Sequence, residues 1–128
     1  MAFLLDTHTL LYFLSGSDEI SQNALDCILD DTNEIFVSTA TLWEIAIKTS
    51  LGKLSLLAPF EDIFPSQLDK NSFQILDIRI HHLSAMMELE FHHRDPFDRV
   101  MIGQAIADDL TVIGKDRLFK KYPVKLLW

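Results

Sequence analysis

The chain has 128 residues, of which 48% are hydrophobic, and we expect residues 1–128 to form a single domain with a sizeable core. Its formal net charge of −8 argues against binding nucleic acid through bulk charge alone. Cys27 is the only cysteine, which excludes an intrachain disulfide and fits a reducing cytoplasm. No apolar run approaches the ~20 residues that span a bilayer, so a soluble, unprocessed cytoplasmic protein is expected.

Short apolar runs rich in β-branched and aromatic residues predict five strands, at residues 3–5, 35–37, 73–76, 110–113 and 124–127. Segments with helical spacing lie between them, beginning after Asp6 and at residues 24–29, 42–49 and 97–105. Gly52 suits a left-handed helix end, while Pro59 and Pro96 suit first helical turns. The alternation predicts an α/β fold with a parallel sheet covered by helices on both faces.

Polar residues follow several of these strands. Asp6, Ser38 and Asp116 occupy strand exits, and in an open parallel sheet such exits converge on the edge where ligands bind. Taken alone, Asp6 is more simply a helix N-cap, and Asp116 could cap a short turn. Glu44 is predicted to lie in a helix with Lys48 four residues on, a spacing that favours an ordinary surface ion pair.

The segment Asp95-Pro96-Phe97-Asp98 predicts the start of a helix, with Asp95 as N-cap and Pro96 in the first turn. Asp98 differs, because Met101, Ile102 and Ala105 make its own helical face apolar. A carboxylate on such a face needs a cation or a metal as partner.

Joint placement favours a metal site over four separate caps and ion pairs. Asp6, Glu44, Asp98 and Asp116 are predicted to meet at one edge of the sheet, where like charges repel unless a cation lies between them. Oxygen-only ligands suit Mg²⁺ or Mn²⁺.

The chain resembles a PIN-domain ribonuclease, specifically the VapC type of toxin from toxin-antitoxin pairs. The similarity spans nearly the whole chain in the expected order. The matching segments are Leu4-Leu5-Asp6-Thr7-His8, residues 37–48, His93-Arg94-Asp95-Pro96-Phe97-Asp98-Arg99 with residues 102–105, and Lys115-Asp116 followed by Phe119 and Tyr122.

The resemblance implies an α/β/α sandwich with a mainly parallel sheet of four or five strands, and RNA hydrolysis by a water activated at a Mg²⁺ or Mn²⁺ site. It implies that this site is formed by Asp6, Glu44, Asp98 and Asp116. Thr7 and Ser38 are expected to support it, and Asp95 to bind metal, support the ligands or cap the helix. One departure is Gly114, where the family often has a hydroxyl residue.

Arg94, Arg99, Lys115 and Arg117 are candidate RNA phosphate contacts, with solvated surface charges as the alternative. The resemblance also implies a cognate antitoxin and a homodimer. Two other readings stay open: a catalytically weak PIN-like scaffold that acts by binding protein, and a phosphoaspartate phosphatase. His8 disfavours the phosphatase, which needs a second Asp two residues after the first.

Overall fold

The computed structural model describes residues 1–92 and 94–128, so that His93 of the acidic block lies outside the described residues. Within the described chain, a five-stranded sheet has the order β3-β2-β1-β4-β5, and every pairing is parallel. All five predicted strands are confirmed, with shifted ends. Their bounds are β1 (Ala2–Leu5), β2 (Glu34–Ser38), β3 (Gln74–Leu76), β4 (Thr111–Ile113) and β5 (Leu126–Leu127).

Helices connect the strands and cover both faces of the sheet, which confirms the predicted PIN-like α/β/α sandwich. Gly52, at φ +72°, adopts the predicted left-handed conformation just after α3. The helix bounds are α1 (Thr7–Ser15), α2 (Gln22–Leu29), α3 (Thr39–Ser50), α4 (Phe60–Ile63), α5 (Ser66–Lys70), α6 (Ile80–Met87) and α7 (Pro96–Ala107), with a 3₁₀ turn at Arg117–Lys121. Among the described residues, none of these helices has the length and apolar character to cross a membrane.

The central strand β1 contributes to both halves of the core because alternate side chains of a strand point to opposite faces. Phe3 and Leu5 belong to the cluster that packs against α1 and α2, whereas Leu4 belongs to the cluster that packs against α7. All three side chains are at most 4% exposed. A strand buried on both faces requires the continuous apolar run seen in the sequence.

Strand register places the polar strand exits side by side. Leu5 pairs with Val37 of β2 and with Ile113 of β4. The next residues along the chain, Asp6, Ser38 and Gly114, therefore leave the sheet at the same edge.

Candidate metal centre

Asp6 is both a helix cap and a buried member of the carboxylate cluster. Its Oδ1 accepts a hydrogen bond from the backbone N–H of Thr9 at 2.8 Å, and its own N–H donates to the Ile113 carbonyl at 3.1 Å. The residue is only 5% exposed, and this burial raises the pKa of the carboxyl, although the hydrogen bonds with Thr9 oppose the rise. The nearby Asp116 carboxylate also raises the pKa of Asp6. Capping and metal binding are compatible duties, since Oδ2 is not the capping atom.

Glu44 lies in the second turn of α3 and is held at both carboxylate oxygens. Thr7 Oγ1 donates to Oε1 at 2.6 Å, and Lys48 Nζ lies 2.6 Å from Oε2. The expected pair with Lys48 is therefore present, but the expectation of an ordinary surface pair was wrong. The Glu44 side chain is 5% exposed, because α3 packs against both α1 and α7.

Asp95 caps α7, as predicted: its Oδ1 accepts from the N–H of Phe97 at 2.9 Å and of Asp98 at 3.1 Å. The cap sets Asp98 in the first turn of the helix, beside the other acids. Burial, followed by the charges of the surrounding carboxylates, raises the pKa of Asp98 to about 8. The carboxylates that contribute are Asp95, Glu44, Asp6 and Asp116.

Asp116 caps the 3₁₀ turn that follows β4, since its Oδ1 accepts from the N–H of Leu118 at 2.9 Å. Two residues earlier, Gly114 lies directly against Asp6. A Cβ atom at Gly114 would come within 2.8 Å of Asp6 Cγ and would overlap Oδ2. The glycine thus does more than remove a hydroxyl, because its bare Cα leaves the space that the Asp6 carboxylate fills.

The structure brings Asp6, Glu44, Asp98 and Asp116 together at the carboxyl edge of the sheet. The charges of Glu44, Asp6 and Asp116 all raise the pKa of Asp98, so these residues lie close enough to interact although they come from four separate segments of the chain. The donor set fits Mg²⁺ or Mn²⁺, because it consists of carboxylate oxygens that repel one another until a cation shares them. Burial is the largest cause of the raised pKa of both Asp6 and Asp98, and the charges of neighbouring carboxylates raise both values further.

The sequence matches the family model described as PIN domain over residues 3–125. The chain belongs to the PIN domain family. No curated protein sequence matches the chain significantly. The resemblance drawn from the acidic motifs is therefore confirmed at the level of the family.

Solved structures show the same fold. The chain is similar to VapBC2 from Rickettsia felis bound to a promoter DNA fragment, at 20% identity and a TM-score of 0.75, with 99% of this chain and 98% of that chain covered. DNA-bound VapBC from Salmonella typhimurium gives 18% identity and a TM-score of 0.73, with 99% of this chain and 97% of that chain covered. VapBC-5 from Mycobacterium tuberculosis, a toxin-antitoxin system, gives 17% identity and a TM-score of 0.62, with 98% of this chain and 97% of that chain covered.

Ser38, which was expected to support the metal site of this PIN domain, contacts other groups. Its hydroxyl donates to Gln104 Oε1 at 2.6 Å and accepts from the N–H of Ala40 at 3.0 Å. Both Ser38 and Gln104 are completely buried. Ser38 therefore joins α3 to α7, which are the two helices that carry Glu44 and Asp98.

Arg99 does not fit the predicted role of an RNA phosphate contact, and that prediction is corrected. The side chain is 6% exposed, and its guanidinium donates to the Glu90 carbonyl at 2.9 Å and the Leu89 carbonyl at 3.3 Å. The guanidinium also stacks over the Phe91 ring at 4.2 Å. Arg99 thus anchors the segment before α7, because five donors in a plane can satisfy several carbonyls at once.

The other three candidate phosphate contacts of the PIN domain are exposed: Arg94, Lys115 and Arg117. Lys115 also has protein partners, since its Nζ lies 3.1 Å from Glu19 Oε2 and 5.1 Å from the centre of the Tyr12 ring. It connects α1 to the loop that carries Asp116.

Sequence reasoning missed a second cluster at the far end of α7. His81 Nε2 and His82 Nε2 each lie 2.8 Å from one oxygen of Asp108. Three such ligand atoms within 4.8 Å could hold a metal ion. However, His82 Nδ1 accepts from the N–H of Arg79 at 3.0 Å, so a neutral ring carries its proton on Nε2 and donates it to Asp108. We therefore describe these groups as a hydrogen-bonded clamp between α6 and α7.

An apolar groove of about 730 Å³ opens beside α1. Leu11, Tyr12 and Leu14 of α1 line one side, and residues 54–58 line the other. His8, two residues after Asp6, also lines this groove, which therefore approaches the acidic cluster. Leu11, Phe13 and Leu14 of α1 pack partly into the core, and Leu10 is completely buried.

Proposed function

We propose that this protein is a metal-dependent endoribonuclease that acts in the cytoplasm as the toxin of a toxin-antitoxin pair. The observation that carries the proposal is the convergence of Asp6, Glu44, Asp98 and Asp116 at one edge of a PIN fold, with the pKa of Asp98 raised to about 8. Membership of the PIN domain family supports a nuclease more broadly. The VapBC structures of the same fold favour the toxin assignment.

The carboxylates have different proposed roles at the site. A divalent Mg²⁺ or Mn²⁺ ion held there would lower the pKa of water and offset charge on the phosphodiester. Asp6 and Asp98 are the main proposed ligands, with Asp116 completing the set. Asp95 holds Asp98 in place through the helix cap. Burial and the neighbouring carboxylates raise the pKa of Asp98 to about 8, and a cation held at the site would lower it and favour the charged carboxylate.

Glu44 and Thr7 act together on the other side of the cluster. The hydroxyl of Thr7 fixes one oxygen of Glu44 at 2.6 Å, which leaves the carboxylate a single orientation. Held in this way, Glu44 can orient a water molecule and draw the proton from it as the water attacks phosphorus. The leaving oxygen takes up a proton from solvent, since the site opens at the edge of the sheet.

RNA is the proposed substrate, and the exposed cations near the site favour a phosphate backbone. Arg94 and Arg117 flank the acidic residues Asp95 and Asp116 in sequence and are exposed. The excess of negative charge elsewhere then limits non-specific binding. Replacing both arginines by Gln should weaken RNA binding without changing Mn²⁺ binding.

The apolar groove beside α1 is the proposed site for the antitoxin. A peptide lying against Leu11 and Tyr12 would pass His8 and reach the acidic cluster, where a basic side chain could block it. Leu11→Glu should therefore abolish inhibition by the cognate antitoxin while RNA cleavage continues. Loss of both activities would place the effect in the fold instead.

A homodimer is proposed from an exposed apolar stripe on α6. Ile80, Leu83 and Met87 recur at helical spacing and are 84%, 40% and 78% exposed. Light scattering of the wild type should give twice the 14.7 kDa chain mass. A Met87→Glu variant should shift towards the monomer.

RNA cleavage by purified protein tests the enzymatic proposal. The wild type should cleave with Mg²⁺ or Mn²⁺ and stop with EDTA, and both Asp6→Asn and Asp98→Asn should lose at least about a hundredfold in rate. Asp69→Asn, on the exposed side of α5, is the matched control. Equal cleavage by the site variants would refute the assignment. Absence of both cleavage and metal binding in the wild type would favour the protein-binding scaffold.

A further inference from the structure

Both oxygens of the Glu44 carboxylate are engaged by other side chains of the protein. Thr7 Oγ1 and Lys48 Nζ each lie 2.6 Å from a different oxygen of the carboxylate. Distances this short are typical of charge-assisted hydrogen bonds. A buried carboxylate with a cation on one oxygen and a hydroxyl on the other has its charge offset without a metal ion.

Lys48 faces the acidic cluster as well as Glu44. The hydrogen bond with Glu44 is the largest cause of the raised pKa of Lys48, and the charges of Asp95 and Asp98 raise it further. Glu44 precedes Lys48 by four residues in α3, and this order of acid before base is the more favourable one for an ion pair within a helix. The lysine side chain remains 42% exposed, so its Nζ reaches the cluster from the solvent side.

We propose that Lys48 is the cation that neutralises Glu44, so that Glu44 acts on the attacking water and is not a metal ligand, and the site takes one divalent ion, held by Asp6, Asp98 and Asp116. The inference rests on the proposed function and deepens it, because it fixes the number of ions and separates the roles of the four carboxylates.

Glu44 is not expected to bind a divalent ion, because Lys48 already occupies one of its carboxylate oxygens. A divalent ion bound to Glu44 would have to displace Nζ from Oε2, or else lie beside an ammonium of the same sign. A small, strongly hydrated cation also loses part of its water shell when it takes a carboxylate ligand. Lys48 is covalently attached one turn away, so its local concentration at Glu44 is always high.

Mn²⁺ binding to the full chain tests this assignment, measured by calorimetry and by electron paramagnetic resonance. The decisive variant is Glu44→Gln/Lys48→Met, which removes both charges and keeps an acceptor for Thr7. Glu61→Gln/Lys53→Met is the matched control, because it makes the same chemical changes at exposed positions. Circular dichroism establishes that each protein is folded.

The wild type should bind one Mn²⁺, and the Glu44/Lys48 double variant should also bind one. Its affinity should lie within about threefold of the wild type, because the variant removes one negative and one positive charge together. RNA cleavage by this variant should fall, since Glu44 no longer fixes the water. Because the net charge of the site is unchanged, a tenfold or larger loss of Mn²⁺ affinity in the folded double variant, with the control unchanged, would show that Glu44 itself holds the ion and would overturn the inference.

Two Mn²⁺ ions in the wild type would overturn it as well, and this measurement needs no variant. Either result would leave the proposed nuclease intact. A wild type that binds no Mn²⁺ and cleaves no RNA would instead remove the proposed function, together with the inference that depends on it.

Discussion

Asp98→Asn should make the protein more stable at alkaline pH in the absence of metal, because it removes a carboxylate whose surroundings disfavour the charged form. The pKa of Asp98 rises from 3.8 to about 8, and each pKa unit corresponds to about 1.4 kcal/mol. The full shift sets an upper bound of about 6 kcal/mol on the gain. Counter-ions and partial contact with solvent reduce it, and we expect about 2 kcal/mol, a rise of about 8 °C in Tm.

The sign depends on pH. Between pH 4 and pH 8 the folded wild type holds a proton on Asp98 that the unfolded chain has lost, so its stability falls as pH rises through this window. The Asn variant does not titrate there. The difference should be near zero at pH 4 and reach its full value above pH 8.

Urea unfolding in EDTA, followed by circular dichroism at several pH values, measures this difference. Asp69→Asn is again the control and should follow the wild type. Saturating Mn²⁺ should reverse the order, since the ion stabilises the wild type in proportion to its binding. An Asn variant that is no more stable than the wild type at pH 8.5 in EDTA would refute the electrostatic reasoning.

Three further predictions concern single contacts. Asp6→Asn should lose Mn²⁺ binding in calorimetry but keep the hydrogen bond that caps α1 at Thr9. Asp6→Ala should lose this cap as well, at a cost of about 1 kcal/mol in unfolding free energy. Normal Mn²⁺ binding by the Asn variant would contradict the ligand role. Gly114→Ala should displace the Asp6 carboxylate and weaken Mn²⁺ binding about tenfold or more. Unchanged affinity would mean that the Asp6 carboxylate can shift without weakening Mn²⁺ binding. Asp108→Ala should leave the buried Nε2–H of His82 unpaired and cost about 2 kcal/mol in urea unfolding, with Mn²⁺ binding unchanged.

Local chemistry made much of the fold predictable. The sequence shows a short apolar run at each of the five strand positions, although only the central strands are largely buried and the edge strand β3 is exposed at Gln74 and Ile75. Caps are equally local, since Asp95 and Asp6 bond to backbone groups within three residues. Helices α5 and α6 were not predicted, although Ile80, Leu83 and Met87 of α6 recur at helical spacing.

The burial of charged residues was not predictable in the same way. Arg94 and Arg99 both lie beside an aspartate in the acidic block, and the sequence does not distinguish them. Arg94 is exposed, whereas Arg99 is buried and donates to carbonyl groups of the segment before α7. The spacing of Glu44 and Lys48 predicted their pairing, but only the packing of α3 between its neighbours made the carboxylate buried.

The sequence by itself determined the family, the parallel sheet and the set of acidic residues, because each depends on residue type and short-range spacing. Tertiary structure decided how those acids are used. Gly114 gives space to Asp6 from a strand more than a hundred residues away, and Thr7 reaches across from α1 to fix Glu44. Such contacts follow from strand order and helix packing, which join segments that no local pattern connects.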